Sequence, residues 1–153
     1  LVPDIAMADM DVNKIEYKDL QIECELGEGA AATVHKGIWR GQYVAVKELK
    51  VEKEKDDSQG QGSLGSRAFS EFRREVWVMS GFQHPSIVQL IGLCLSPLCI
   101  ITEFIPFGNL YNYVNDPSLP LNMPLVVKIA WDIASAMAFL HSSTPPQLHR
   151  DLK

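Results

Sequence analysis

Leu20-Gln21-Ile22-Glu23-Cys24-Glu25-Leu26 runs into Gly27-Glu28-Gly29. After Ala30-Ala31-Ala32 the chain continues as Thr33-Val34-His35-Lys36-Gly37-Ile38-Trp39, then Arg40-Gly41-Gln42, then Tyr43-Val44-Ala45-Val46-Lys47-Glu48-Leu49. Leu20, Ile22, Cys24 and Leu26 alternate with other residues at the period of a half-buried strand, and the glycines end it. Residues 33–39 read as a second strand, Arg40-Gly41-Gln42 as a turn and the Val-rich 43–49 as a third strand, so the stretch predicts an antiparallel meander. In the third strand, period two puts Ala45 and Lys47 on one face and Val44 and Val46 on the other.

Upstream, residues 1–13 have no clear period and read as a leader or linker. Downstream, residues 50–66 turn polar and simple, with Ser58-Gln59-Gly60-Gln61-Gly62-Ser63 at their centre. Such a stretch buries too little to offset its ordering entropy, and a flexible insertion is expected there. A helical period then places Phe69, Phe72, Val76 and Met79 on one stripe, ending near Gly81 and His84-Pro85. Residues 87–95 and 98–105 have strand length with Ser96-Pro97 as a turn between them. Beyond Pro106-Phe107-Gly108 the character becomes helical: a short helix over 109–115, and a long one over 124–141. The long helix starts with Pro124 after Asn122 and carries Leu125, Ile129, Ile133, Met137 and Leu140 mostly at i+4. The expectation is an α+β fold, a five-stranded antiparallel sheet with one helix followed by a helical region.

The 153 residues are 46% apolar and 22% charged, a globular composition. Fourteen Lys and Arg against nineteen Asp and Glu give a net charge of −5, which argues against a general polyanion binder and so against nucleic acid as a partner. Lys128 and Asp132 interrupt the longest apolar run, 125–140, and the N-terminus lacks the basic-then-apolar order of a signal peptide, so no membrane association and a cytoplasmic location are expected. Cys24, Cys94 and Cys99, odd in number and in strand-like surroundings, read as reduced core thiols; neither a disulfide framework nor a metal site is indicated.

Three motifs carry candidate chemistry. Gly27-Glu28-Gly29 between two antiparallel strands fits a plain hairpin turn as well as a lid whose backbone approaches phosphate oxygens; a strand follows it, so a dinucleotide fingerprint is set aside. Val44-Ala45-Val46-Lys47 is either an ordinary strand with a solvated lysine or a small residue leaving room for a planar base beside a cation. Glu75 lies beside the Phe72, Val76, Met79 stripe, and an acid at the edge of a buried face calls for a cationic partner, for which Lys47 is the candidate. His149-Arg150-Asp151-Leu152-Lys153 offers a carboxylate and a cation within one loop, the pair needed to orient a hydroxyl and steady a transferred phosphate; taken alone it also fits a solvated tail.

The order of these parts resembles the eukaryotic protein-kinase domain, from about residue 14 to 153. Phe72-Arg73-Arg74-Glu75-Val76, the 79–87 stretch with His84-Pro85, and Glu103-Phe104-Ile105-Pro106-Phe107-Gly108-Asn109-Leu110 resemble the tyrosine-kinase-like group and within it the Roco, or leucine-rich-repeat, kinases. The resemblance implies a leader at 1–13, a small lobe at 14–105 with an insertion at 50–66, and the start of a large lobe at 106–153. It implies that Leu26, Gly27, Glu28, Gly29, Ala30, Ala31, Ala32, Thr33 and Val34 form the lid over ATP, that Val34 and Ala45 cover adenine, and that Lys47, paired with Glu75, holds the α/β-phosphates. Thr102 becomes the gatekeeper and Glu103, Phe104 and Ile105 the hinge. Met79 and His149 join the regulatory hydrophobic spine. Asp151 orients the substrate hydroxyl, and Lys153, two places on as in Ser/Thr kinases, contacts the γ-phosphate. ATP, Mg2+ and a protein substrate are the implied ligands, and upstream GTPase or repeat domains of a larger parent the implied neighbours.

Ala32 stands where the family has its third lid glycine and Ala31 where an aromatic tip is usual, so the expectation is a lid restricted in positive φ that shields ATP less well. A small gatekeeper, Thr102, implies an accessible pocket behind adenine. Leu1 is not an initiator Met, and the family's magnesium ligands come after the position of Lys153, so the resemblance implies that the 153 residues alone do not transfer phosphate and expose helix surface over 125–140. The other reading is a truncated or pseudokinase-like regulatory module that binds nucleotide or protein.

Overall fold

The computed structural model describes residues 10–50 and 64–152. Two compact units divide the chain, Leu1–Phe82 with Gln89–Phe104, and Gln83–Val88 with Ile105–Lys153.

The first unit is built on one sheet. Its strands are β1 (Asn13–Lys14), β2 (Gln21–Glu28), β3 (Ala32–Trp39), β4 (Gln42–Leu49), β5 (Leu90–Leu95) and β6 (Leu98–Glu103), in the order β1-β5-β6-β4-β3-β2. The β3–β4 turn is closed by Arg40 and Gly41, both at positive φ (50° and 79°), with Trp39 facing Gln42. That is the two-residue hairpin whose twist matches its strands. Register then fixes the faces: Val34 opposes Lys47, Lys36 opposes Ala45, and Ala45 and Lys47 oppose Thr102 and Ile100 of β6. These side chains share the front face. Val44, Val46 and Ile101 share the back, where they are buried with Ile15, Leu20, Cys94 and Cys99.

Helix α1 (Leu64–Ser80) packs on the front face, with Phe72 and Val76 fully buried against Leu90, Leu93 and Ile100. Because Ile100 is the cross-strand partner of Lys47, the turn of α1 that seats Phe72 and Val76 also brings Glu75 to Lys47.

Several sequence expectations change. The sheet has six strands, not five, and is mixed: Asn13–Lys14 runs parallel to β5, with Ile15 N–H on Leu93 O (2.8 Å) and Asn13 Nδ2 donating to Ile91 O (2.7 Å). Met10 and Val12 pack against the front cluster, so the stretch expected to be a leader is structural from Met10 onward. Two residues paired to a distant strand leave no periodic trace. Helix α1 starts at Leu64, three residues inside the stretch expected to be flexible, since adding a residue to a formed helix costs little. The rest of that insertion, 51–63, lies outside the described residues.

Cys24 is exposed, not a core thiol. β2 carries a bulge between Ile22, opposite Gly37 on the back face, and Cys24, opposite Lys36 on the front. One extra residue reverses the alternation and turns Cys24 out.

In the second unit α2 (Leu110–Asn115) is capped by Asn109 Oδ1, which accepts from Asn112 N–H at 2.8 Å, and α3 (Met123–Ser142) by Asn122 Oδ1, which accepts from Leu125 N–H at 3.0 Å. Both are N-cap asparagines filling orphan donors. Leu140 is the buried residue of α3 among those described, while Val127 and Trp131 are exposed. Contrary to the sequence expectation, α3 is long and apolar enough to cross a membrane by length and composition. Lys128 and Asp132 do not disqualify it, because they are i,i+4 and pair with each other. His84 ties its own segment to α3: its Nδ1 accepts from Ser86 N–H (3.1 Å), its Nε2 is 3.2 Å from Ser135 Oγ, and its ring is 5.1 Å from that of Phe139.

Candidate functional site

Lys47 Nζ donates to both carboxylate oxygens of Glu75, at 2.7 and 2.9 Å. The two side chains are 38% and 39% exposed. At that exposure an ion pair contributes on the order of 0–1 kcal/mol, so it does little to hold the fold; what it does is fix the direction of a long, flexible lysine. Around it on the front face lie Ala45, with Thr102 as its partner on β6, and Val34, partner of Lys47 on β3. The face thus presents an oriented ammonium next to small and medium side chains.

Glu103 ends β6 and is held twice by Gln89: Glu103 N–H donates to Gln89 O (3.0 Å) and Gln89 N–H to Glu103 Oε1 (2.8 Å). One oxygen of its carboxylate is thereby occupied, and the Thr102 hydroxyl donates to its carbonyl at 3.3 Å. Phe104 follows in the same unit, whereas Ile105 belongs to the second.

Glu28 faces Thr33 at the end of the β2–β3 ladder, and Ala30 and Ala31 form the hairpin tip. Gly29 N–H is taken by Ala32 O (2.8 Å), so Gly29 contributes lack of bulk, not a donor. A Cβ at Gly27 would meet nothing within 4 Å. Leu26 is skipped by the register shift between Glu25 and Gly27 and is half exposed. The expectation that Ala32 restricts a positive φ fails: Ala32 is extended at the start of β3, and the non-glycine residues at positive φ among those described are Arg40 and Arg150. Alanine costs nothing in an extended strand.

Lys50, which the motifs did not point to, braces this tip. Its N–H donates to Ala31 O (2.9 Å), and its ammonium to Gly29 O (3.0 Å) and Glu28 Oε1. The hydrogen bond from Lys50 and then its charge hold the Glu28 carboxyl below its ordinary range. A lysine one place past a strand carries no sequence signal; its role comes from β4 ending beside the β2–β3 tip. A second unforeseen group, Glu23, Lys36 and Tyr43, lies on the same sheet.

In the second unit Asp151 N–H donates to His149 Nδ1 (3.3 Å), Arg150 takes φ 62°, and His149 and Asp151 are exposed. Met79 packs at the edge of the front cluster of the first unit. Lys153 lies outside the described residues. Among the described residues no three His, Cys, Asp or Glu side chains come together as a metal site.

Comparison with known proteins gives one family: the profile described as protein tyrosine and serine/threonine kinase matches residues 20–153. "Probable serine/threonine-protein kinase pats1" of Dictyostelium discoideum is 52% identical over 154 residues, covering 100% of this chain and 5% of that protein. "Probable serine/threonine-protein kinase roco5" and "Probable serine/threonine-protein kinase roco9" of the same organism are each 44% identical over 154 residues, with 5% and 4% of their lengths covered. The chain therefore spans about a twentieth of the length of these relatives.

Proposed function

Because the chain belongs to the protein tyrosine and serine/threonine kinase family, we propose that in the full-length protein it forms the nucleotide-gripping part of an enzyme that transfers the γ-phosphate of MgATP to Ser or Thr hydroxyls of proteins. The observation that carries this is the Lys47–Glu75 pair on the face shared by Val34, Ala45 and Thr102. Glu75 aims the Lys47 ammonium at the α/β-phosphates, and Ala45 leaves space for adenine. The backbone of 103–105 gives adenine its hydrogen bonds. The hairpin tip closes over the phosphates, braced by Lys50. Asp151 orients the acceptor hydroxyl and takes its proton, and Lys153 steadies the γ-phosphate.

Mg2+, when bound, neutralises charge on the β- and γ-phosphates. The residues described here bring together no carboxylate set for it, and no step above runs through it.

The tyrosine-kinase-like and Roco-type placement, upstream GTPase or repeat domains in a longer parent, and a cytoplasmic setting belong to the same proposal. The names of two relatives support the Roco-type placement, and the lengths of all three support a longer parent. In this reading α3 is a helix of a globular domain.

The test is phosphoryl transfer by the full-length protein to a Ser/Thr-containing protein, with Lys47→Met as control. Transfer that Lys47→Met abolishes supports the proposal. Nucleotide binding without transfer in the wild type favours the pseudokinase-like regulatory module instead.

A further inference from the structure

The front face holds a cluster that none of the motifs explains. β6 ends at Glu103, whose pairing with Val44 is the last rung between β4 and β6, so Phe104 is the first hinge residue that no sheet ladder holds. Its side chain is held instead. The Phe104 ring lies 6.2 Å from that of Tyr43, and Lys36 Nζ is 3.9 Å from the Tyr43 centroid and 5.5 Å from the Phe104 centroid. Both distances are within the reach of a cation–π attraction. Lys36 Nζ is also 2.7 Å from Glu23 Oε2. Glu23 is the residue bulged out between Ile22 and Cys24 in β2, the strand that carries Gly27 at the root of the lid.

One ammonium thus touches the lid strand on one side and the hinge on the other. The Lys36 side chain is only 23% exposed, so the charge is partly out of water and its attractions are screened less than at the surface. The hydrogen bond to Glu23 holds its pKa above the ordinary lysine range, and the charge persists across the physiological range.

We propose that Lys36 is a positioning residue for the base side of the nucleotide: by tying Glu23 of β2 to Phe104, it sets the distance between the lid strand and the hinge backbone and so tunes adenine binding. This rests on the nucleotide reading above. It differs from Lys47 in what it acts on. Lys47 faces phosphates, whereas Lys36 reaches the nucleotide only through the hinge and the lid strand, so its loss weakens a base without phosphates as much as ATP.

The experiment is calorimetric titration of the full-length protein with ATP and, separately, with adenosine. Lys36→Met keeps the aliphatic stem and removes the charge; it is expected to raise both dissociation constants about threefold to tenfold, with a melting temperature within about 2 °C of wild type. Lys36→Arg keeps cation, stacking and ion pair, and restores both to within about twofold. Glu23→Ala, which removes the acceptor on β2, moves both constants in the same direction as Lys36→Met. Lys47→Met is the contrast, weakening ATP and sparing adenosine. Lys36→Met with wild-type affinity for both ligands overturns the clamp alone, as does weakening confined to ATP or weakening that arginine fails to restore. A wild-type protein that binds neither ligand overturns the nucleotide reading itself and the clamp with it.

Discussion

Replacing Lys47 by Met separates a structural ion pair from a catalytic one, because the two roles predict effects of very different size. The pair is bidentate, at 2.7 and 2.9 Å, but nearly two-fifths of each side chain is in solvent. Two unit charges about 4 Å apart attract by about 1 kcal/mol in water, and fixing two long side chains offsets part of that, leaving about 0.2–1 kcal/mol for exposed pairs. For a domain of this size 1 kcal/mol moves the melting temperature about 2–4 °C, so Lys47→Met is expected to melt within about 4 °C of wild type. The same cation against a transferring phosphate has a charge to stabilise in the transition state, and losing one such group costs about 2.7–4 kcal/mol, a factor of roughly 100 to 1,000 in rate. Glu75→Ala leaves the ammonium in place but unaimed and is expected to lose less, with the double variant no worse than Lys47→Met alone, since the two act as a unit. The measurements are differential scanning fluorimetry and kcat/KM for ATP on the full-length protein. Lys47→Met with kcat/KM within threefold of wild type, or additive losses in the double variant, refutes the assignment.

A Cβ on Gly92 would lie 2.6 Å from Ile15 Cδ1 and 2.7 Å from Asn13 O, so Gly92→Ala must displace backbone of β1 and is expected to destabilise by about 1–3 kcal/mol in urea titration. An unchanged midpoint would mean that β1 does not dock as described. Of the three cysteines, Cys24 is exposed and Cys94 and Cys99 are buried, so a thiol reagent is expected to modify one thiol quickly under native conditions and the other two only on unfolding. Quick loss of a second thiol in a Cys24→Ser variant would contradict the burial. Burial pushes the Cys99 thiol up to about 12, above its unfolded value, so the native state keeps a proton that the unfolded chain loses above about pH 8.5. Stability from this group is full below that pH and declines as pH climbs toward 12; Tyr17, raised mainly by burial and then by the Glu48 carboxylate, acts in the same direction. Cys99→Val should therefore flatten the fall in denaturation midpoint between pH 8.5 and 10.5, and an unaltered slope would remove Cys99 as its cause.

What could be read in the sequence was whatever depended on a regular period. Ala45 and Lys47 share a face because β4 alternates without interruption against both neighbours. Glu75 reaches Lys47 because Phe72 and Val76, three residues and one residue away on α1, are buried by the same face. The helix starts at Asn109 and Asn122 were legible for a different reason: a capping asparagine satisfies donors local to its own turn, and no distant partner is needed. β1 fails both conditions. Two residues have no measurable period, and everything that fixes them, from Leu93 O to the missing Cβ of Gly92, is supplied by a strand almost eighty positions on.

The bulge in β2 explains two of the misses at once and links fold to site. An unbroken strand would keep Cys24 on the back face with Ile22. By inserting Glu23, the bulge carries Cys24 to the front opposite Lys36 and leaves Glu23 beside the same lysine. A thiol expected in the core is exposed, and an acid in a strand that reads as alternating becomes the anchor of Lys36. Bulges concentrate where a strand must re-aim a side chain. This one, at Glu23, lies four residues before Gly27, on the strand that leads into the hairpin tip, with Phe104 at the other end of the Lys36 contact. A defect in the period, taken as noise when the strand is read by alternation, is thus what joins β2 to Phe104 through Lys36. If that link is adventitious, deleting Glu23, which leaves Ile22 opposite Gly37 and Cys24 opposite Lys36 in a regular ladder, should leave adenosine affinity untouched. If the link positions the base, the same deletion lowers adenosine affinity while Cys24, still opposite Lys36 on the front face, keeps its thiol reactivity.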